Sequence, residues 1–126
     1  MTHTPLSELR KQIRAGTIDA DAALRQVESQ LESGHTVGLL IARGDFIQLG
    51  DSVGYELDDA RNSYARAHVL EPENPGPLME LGHFFYSVMD DELTAQMYFR
   101  RALELGGGEK CKRMLHDIAA RETHLD

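Results

Sequence analysis

Two stretches of this chain match each other at a fixed spacing, and that self-similarity restricts the fold more than any other feature. Laid over "LTAQMYFRRALELGG", the stretch "DDARNSYARAHVLEP" pairs Ala60 with Ala95, Tyr64 with Phe99, Ala67 with Ala102 and Leu70 with Leu105, at a constant offset of 35 residues. A small residue, an aromatic four positions on and a second small residue three further fall on one face of a helix. The small residues admit a neighbouring helix closely, and the aromatic fills the space between the two. A unit of this size cannot bury its apolar face alone, so copies must stack.

The rest of the chain carries the same helical period, with no stretch of alternation long enough for a strand. In "TPLSELRKQIRAG" Leu6, Leu9 and Ile13 share a face, Thr4 is placed as N-cap, Pro5 suits the first turn and Gly16 suits the stop. In "IDADAALRQVESQLESG" Asp19 is the cap, Ala20, Ala23, Leu24, Val27 and Leu31 form the stripe, and Gly34 ends it. A very short turn makes these two an antiparallel hairpin. A third helix runs from Thr36 to Gly50 with Leu39, Leu40, Phe46 and Ile47 inward, and a fourth carries Leu57, Ala60, Tyr64 and Ala67. The fifth carries Leu78, Leu81, Gly82, Phe85 and Val88, the sixth Ala95, Phe99 and Ala102, and the seventh Met114, Leu115 and Ile118. The expectation is all-α: about seven short antiparallel helices. Between the fourth and fifth, "LEPENPGP" gathers Pro72, Pro75 and Pro77. Pro72 closes one helix, Asn74 caps the next, and Pro75 and Pro77 fit its opening turn, where missing amide donors cost little.

These residues resemble the tetratricopeptide repeat family, whose helix-turn-helix unit of about 34 residues reads W-x2-L-G-x2-Y, then A-x3-F, then P. The stretch from Pro75 to Gly107 matches best: Leu78 takes the Trp position, Leu81, Gly82 and Phe85 follow, and then come Ala95, Phe99 and Ala102. It has one extra residue, and Gly107 where proline is usual. The preceding copy has Gly44, Ile47, Ala60, Tyr64, Ala67 and Pro72, with "LGDSVGYELDD" about four residues too long, so its turn from Asp51 to Tyr55 departs from the pattern. The resemblance implies one right-handed α-solenoid domain: residues 1–34 a capping hairpin, 35–73 a first repeat with an insertion, 74–107 a second repeat and 108–126 a capping helix.

It also implies a binding surface, because the first helix of each pair lines a concave groove in this family. Those positions here are Ile41, Asp45 and Gln48, then Met79, His83 and Tyr86, then Lys110, Arg113 and Asp117. Lys110 and Arg113 could hold a carboxylate, and Tyr86 with Met79 an apolar side chain, although packing against a neighbouring helix accounts for Met79 and Tyr86 equally well. Members that clamp a C-terminal carboxylate use Lys and Asn early in the groove, where Ile41 and Asp45 stand here.

Charge sets the other boundary. Thirteen basic residues against twenty-one acidic give −8, which disfavours a nucleic-acid partner. Six acids and no Lys or Arg lie between Ala67 and Phe99. A solvated surface is the plain explanation of such a run. A neutralising, immunity-type role against one basic partner is the alternative.

Chemistry is sparsely marked. Glu80 and His83, at i and i+3, have the spacing of one half of a carboxylate-bundle metal site, but no second ExxH exists. "GGGEKCK" lacks the phosphate-loop pattern and follows a helix, so Gly106 to Gly108 are expected to form a helix stop and turn. The lone Cys111 excludes an internal disulfide and sits between Lys110 and Lys112, which could lower its pKa. No run is apolar enough for a membrane span or a signal peptide. The expected protein is a cytoplasmic, non-enzymatic module that binds a protein or peptide and needs no metal or other cofactor. Apolar surface at an end of the stack would permit homo-oligomers.

Overall fold

A computed structural model describes residues 4–51 and 54–124, with side chains to Arg121. The described residues form seven α-helices and no strand: α1 (Leu6–Ala15), α2 (Ala20–Ser33), α3 (Val37–Leu49), α4 (Leu57–Leu70), α5 (Pro75–Ser87), α6 (Glu92–Glu104) and α7 (Gly108–His124). The chain divides into two compact units, Met1–Leu70 and Glu71–Asp126, so the division falls inside "LEPENPGP".

In the first unit α3 is the central element, packed against α2 and α4 with smaller contacts to α1. Its residues explain why. Val37, Leu39, Leu40, Ala42, Gly44, Phe46 and Ile47 are all buried, more than one stripe can hold, so the helix is covered on several sides. Thr36 Oγ1 accepts from the Leu39 amide at 3.1 Å, and Asp19 Oδ1 accepts from the Ala22 amide at 2.7 Å, each occupying an amide the helix leaves open. Gly16 closes α1 at φ 76, a left-handed conformation suited to glycine. The start of α1 differs from expectation: Pro5 is the N-cap and no side-chain cap forms, so Thr4 does not have that role. Leu57, expected inward, is 51% exposed, because it opens α4 ahead of the stripe that buries Ala60, Ser63, Tyr64 and Ala67. Of the expected irregular turn from Asp51 to Tyr55, Ser52 and Val53 lie outside the described residues.

The second unit packs α5 against α6 and α6 against α7. Asn74 Oδ1 accepts from the Gly76 amide at 2.8 Å, and Pro75 and Pro77 occupy the opening turn of α5, as their positions predict. Asp91 Oδ1 caps α6 through the Thr94 amide at 3.1 Å. Ala95, Phe99, Ala102, Cys111 and Ile118 have no exposed surface, while Phe85, Met114 and Leu115 are half-buried. Val88, expected on the inner stripe, is 36% exposed because the helix ends one residue before it. Gly106 (φ 91) and Gly108 (φ 75) turn the chain from α6 into α7, the stop expected of the glycine run.

One packing arrangement occurs in both units. A Cβ on Gly44 would lie 2.5 Å from Tyr64 Cε1, and a Cβ on Gly82 would lie 2.5 Å from Phe99 Cε1. Each first helix therefore has a glycine where the aromatic of the next helix presses flat against its backbone. The aromatic pair matched by the offset of 35 does equivalent work in the two places.

Candidate binding surfaces

The side chains singled out in the first unit are engaged internally. Ile41 is half-buried against the cluster of Val37, Leu40 and Ala67, alongside Leu31. Tyr64, seated on Gly44, sends its hydroxyl past α3. There it donates to Asp45 Oδ1 at 2.6 Å and accepts from Gln48 Nε2 at 2.7 Å. Asp45 Oδ2 also pairs with Arg10 of α1 at 3.1 Å, and that guanidinium lies 5.4 Å from the centre of the Phe46 ring. Asp45 and Gln48 thus hold α1, α3 and α4 in register. Arg10 and the Tyr64 hydroxyl are the partners that sequence spacing alone did not connect to them.

In the second unit the candidates on α5 each meet a residue of α7. Met79 Sδ lies 2.7 Å from Cys111 Sγ. His83, four residues on, is half-buried with its ring edge-on to Phe99 at 5.2 Å. Burial lowers the His83 pKa below the ordinary histidine value, and the Lys110 ammonium lowers it further, so the ring is neutral at pH 7. Tyr86 continues the line: its hydroxyl accepts from Arg121 at 2.8 Å, the guanidinium stands 5.4 Å from its ring centre, and Arg121 also pairs with Glu92 at 3.2 Å. Lys110, Arg113 and Asp117 are exposed, and among the described residues none of the three forms an ion pair. Arg121 went unnoticed in the sequence, although it stands four residues beyond Asp117 and continues the 110, 113, 117 spacing. This part of the second unit thus presents an imidazole, a phenol, a thioether and the exposed cations Lys110 and Arg113.

The reactive reading of Cys111 changes. The flanking lysines do not activate Cys111: its side chain is fully buried while theirs point to solvent, Lys112 pairs with Glu109 at 3.4 Å, and burial raises the thiol pKa. Among the described residues no group of three or more His, Cys, Asp and Glu could hold a metal ion. No described helix is long and apolar enough to cross a membrane. No protein-family model matches the chain, and no curated protein does either.

Proposed function

We propose that this chain is a tetratricopeptide-like helical solenoid that binds a protein or peptide segment without catalysing a reaction, with α5 and α7 supplying the principal contacts. The observation that carries the reading is that Met79, His83 and Tyr86 of α5 meet Cys111, Lys110 and Arg121 of α7 in turn, with Arg113 and Asp117 exposed on the same helix. Such a strip can take an apolar side chain over the Met79 and Tyr86 edges and a carboxylate on Lys110 or Arg113. Support for the repeat architecture comes from the glycine and aromatic pairs, Gly44 with Tyr64 and Gly82 with Phe99, which place the signature residues of that family in the same contact twice. Fold and task remain separate claims, because many tasks share one scaffold.

Affinity capture with the purified chain, compared with the double variant Tyr86→Ala plus Arg113→Glu, tests the reading. The expected result is a protein enriched by the native chain and lost from the variant, with helical content unchanged by circular dichroism. Recovery of the same proteins by both, or of none across several salt and detergent conditions, would count against it.

A further inference from the structure

The first unit carries a second surface, on the opposite helices of its hairpins. Three shallow hollows adjoin along α2 and α4, and Arg66 lines all three. The first, about 360 Å³, is the most apolar, with Leu40, Val69 and Leu70 around Arg66 and His35. Leu40 is buried at its base, whereas Val69 is 76% exposed and Leu70 48% exposed. Two aliphatic side chains thus stand open to solvent next to a cation.

The charges around the hollows differ in how they are satisfied. Arg43 is engaged through Nε and Nη1: it pairs with Glu28, donates to Ser63 Oγ and to the Asp59 carbonyl, and lies 5.5 Å from the Tyr55 ring centre. Arg66 has no carboxylate partner among the described residues. Its contact is Nη2 to His35 Nδ1 at 2.9 Å. A guanidinium has five N–H donors in a planar fork, and one such bond leaves most of the fork open. A carboxylate is the group that fits it, and the exposed Val69 and Leu70 beside it favour an aliphatic neighbour on the same ligand. Glu32 and Asp59 on the flanking hollows oppose a polyanion, so a single carboxylate next to an apolar residue satisfies the surface better than an acidic run or a phosphorylated one.

The geometry points to a docking site in the α2 and α4 face for an extended segment of another protein that carries an aliphatic side chain next to one Asp or Glu. The aliphatic group fills the hollow between Leu40, Val69 and Leu70, and the carboxylate takes the open fork of Arg66. This face is built from residues of the first unit alone and the α5 and α7 strip from residues of the second, so either surface can fail without the other.

A random peptide library displayed on phage and selected against the full-length chain tests the site, with Arg66→Gln and Val69→Asp as counter-targets. Enriched peptides should place Leu, Ile or Val within two positions of Asp or Glu. They should bind at least about tenfold more weakly to either variant, as expected for loss of a charge-assisted fork or of the apolar seat. Hexanoate, a carboxylate with an aliphatic tail, should shift the Val69 and Leu70 methyl signals in NMR spectra of the native chain far more than hexylammonium does. Enrichment of basic peptides, no enrichment, or equal binding to Arg66→Gln would overturn the site. So would peptides displaced only by Tyr86→Ala plus Arg113→Glu, which would credit the other face. A concentration-dependent dimer dissolved by Arg66→Gln would overturn it as well, by showing that a second copy of the chain covers this surface.

Discussion

Gly82 lies under the ring of Phe99 and Gly44 under that of Tyr64, so each position opposes two effects in a Gly→Ala variant. Alanine favours the helix by about 1 kcal/mol, whereas forcing a methyl into a filled contact costs about 1–3 kcal/mol. Both rings are buried, and the Tyr64 hydroxyl is fixed by Asp45 and Gln48, so neither can swing away. The contact should win. Gly44→Ala and Gly82→Ala are each expected to lower unfolding free energy in urea by up to about 2 kcal/mol, where an ordinary exposed helical glycine would show a gain. His83 supplies a second residue-level expectation. Its folded pKa is lowered, first by burial and then by Lys110, so the unfolded chain binds the proton more readily. Its contribution to stability is therefore present above the ordinary value of about 6.5 and is lost as pH falls below it. An NMR titration of the imidazole should give a midpoint below that value and move upward in Lys110→Ala; a midpoint at or above it would contradict the packing. That Tyr64 and Phe99 occupy equivalent places could be read from the chain, because they share a register; that a glycine of the preceding helix lies against each ring was not read there. What Asp45 does could not, because its partner Arg10 lies 35 positions away and arrives only when α1 packs on α3.

At the level of the element, helix ends were the best-marked features, since capping is a local interaction that spacing reveals. Asp19 and Asn74 each make the bond their positions predict, and Thr36, read as the start of α3, caps it. Thr4 fails because Pro5, with its extended backbone, takes the cap position itself. Asn74→Ala should cost about 1 kcal/mol, the usual worth of a lost N-cap, and Asn74→Asp should retain most of it; equal stability of all three in thermal unfolding would show the prolines alone set the start of α5. Burial at helix ends was harder to foresee. Leu57 and Val88 fit the period of their helices but lie where the neighbouring helix no longer covers them. Arg121 is the corresponding omission on α7, joined to α5 through Tyr86 and to α6 through Glu92. Arg121→Ala should speed amide hydrogen exchange in the last turns of α7 while leaving exchange in α5 nearly unchanged. Equal acceleration in both helices would mean that the contact stabilises the whole unit.

The whole molecule is all-helical among its described residues, as the periodicity foreshadowed, and it divides into two compact units at the proline cluster, where the resemblance implied a single domain. Its ligand was not written in the same way. Repeat signatures are set by packing and recur, whereas a binding strip combines side chains from helices far apart in the chain and obeys no period. Net charge adds one discriminating expectation at this scale. With −8 overall and six acids between Ala67 and Phe99, a partner held by the acidic zone would lose affinity steeply with salt, while one held over Met79, His83 and Tyr86 would lose little. The most direct measurement is chemical-shift mapping of the captured partner segment on the labelled chain, at low and at high salt. Shifts concentrated at Met79, His83, Tyr86, Lys110 and Arg113, persisting at high salt, are the predicted result. Shifts concentrated at Glu71, Glu73, Asp90 and Asp91 and vanishing with salt would contradict it and establish an acidic, neutralising surface instead.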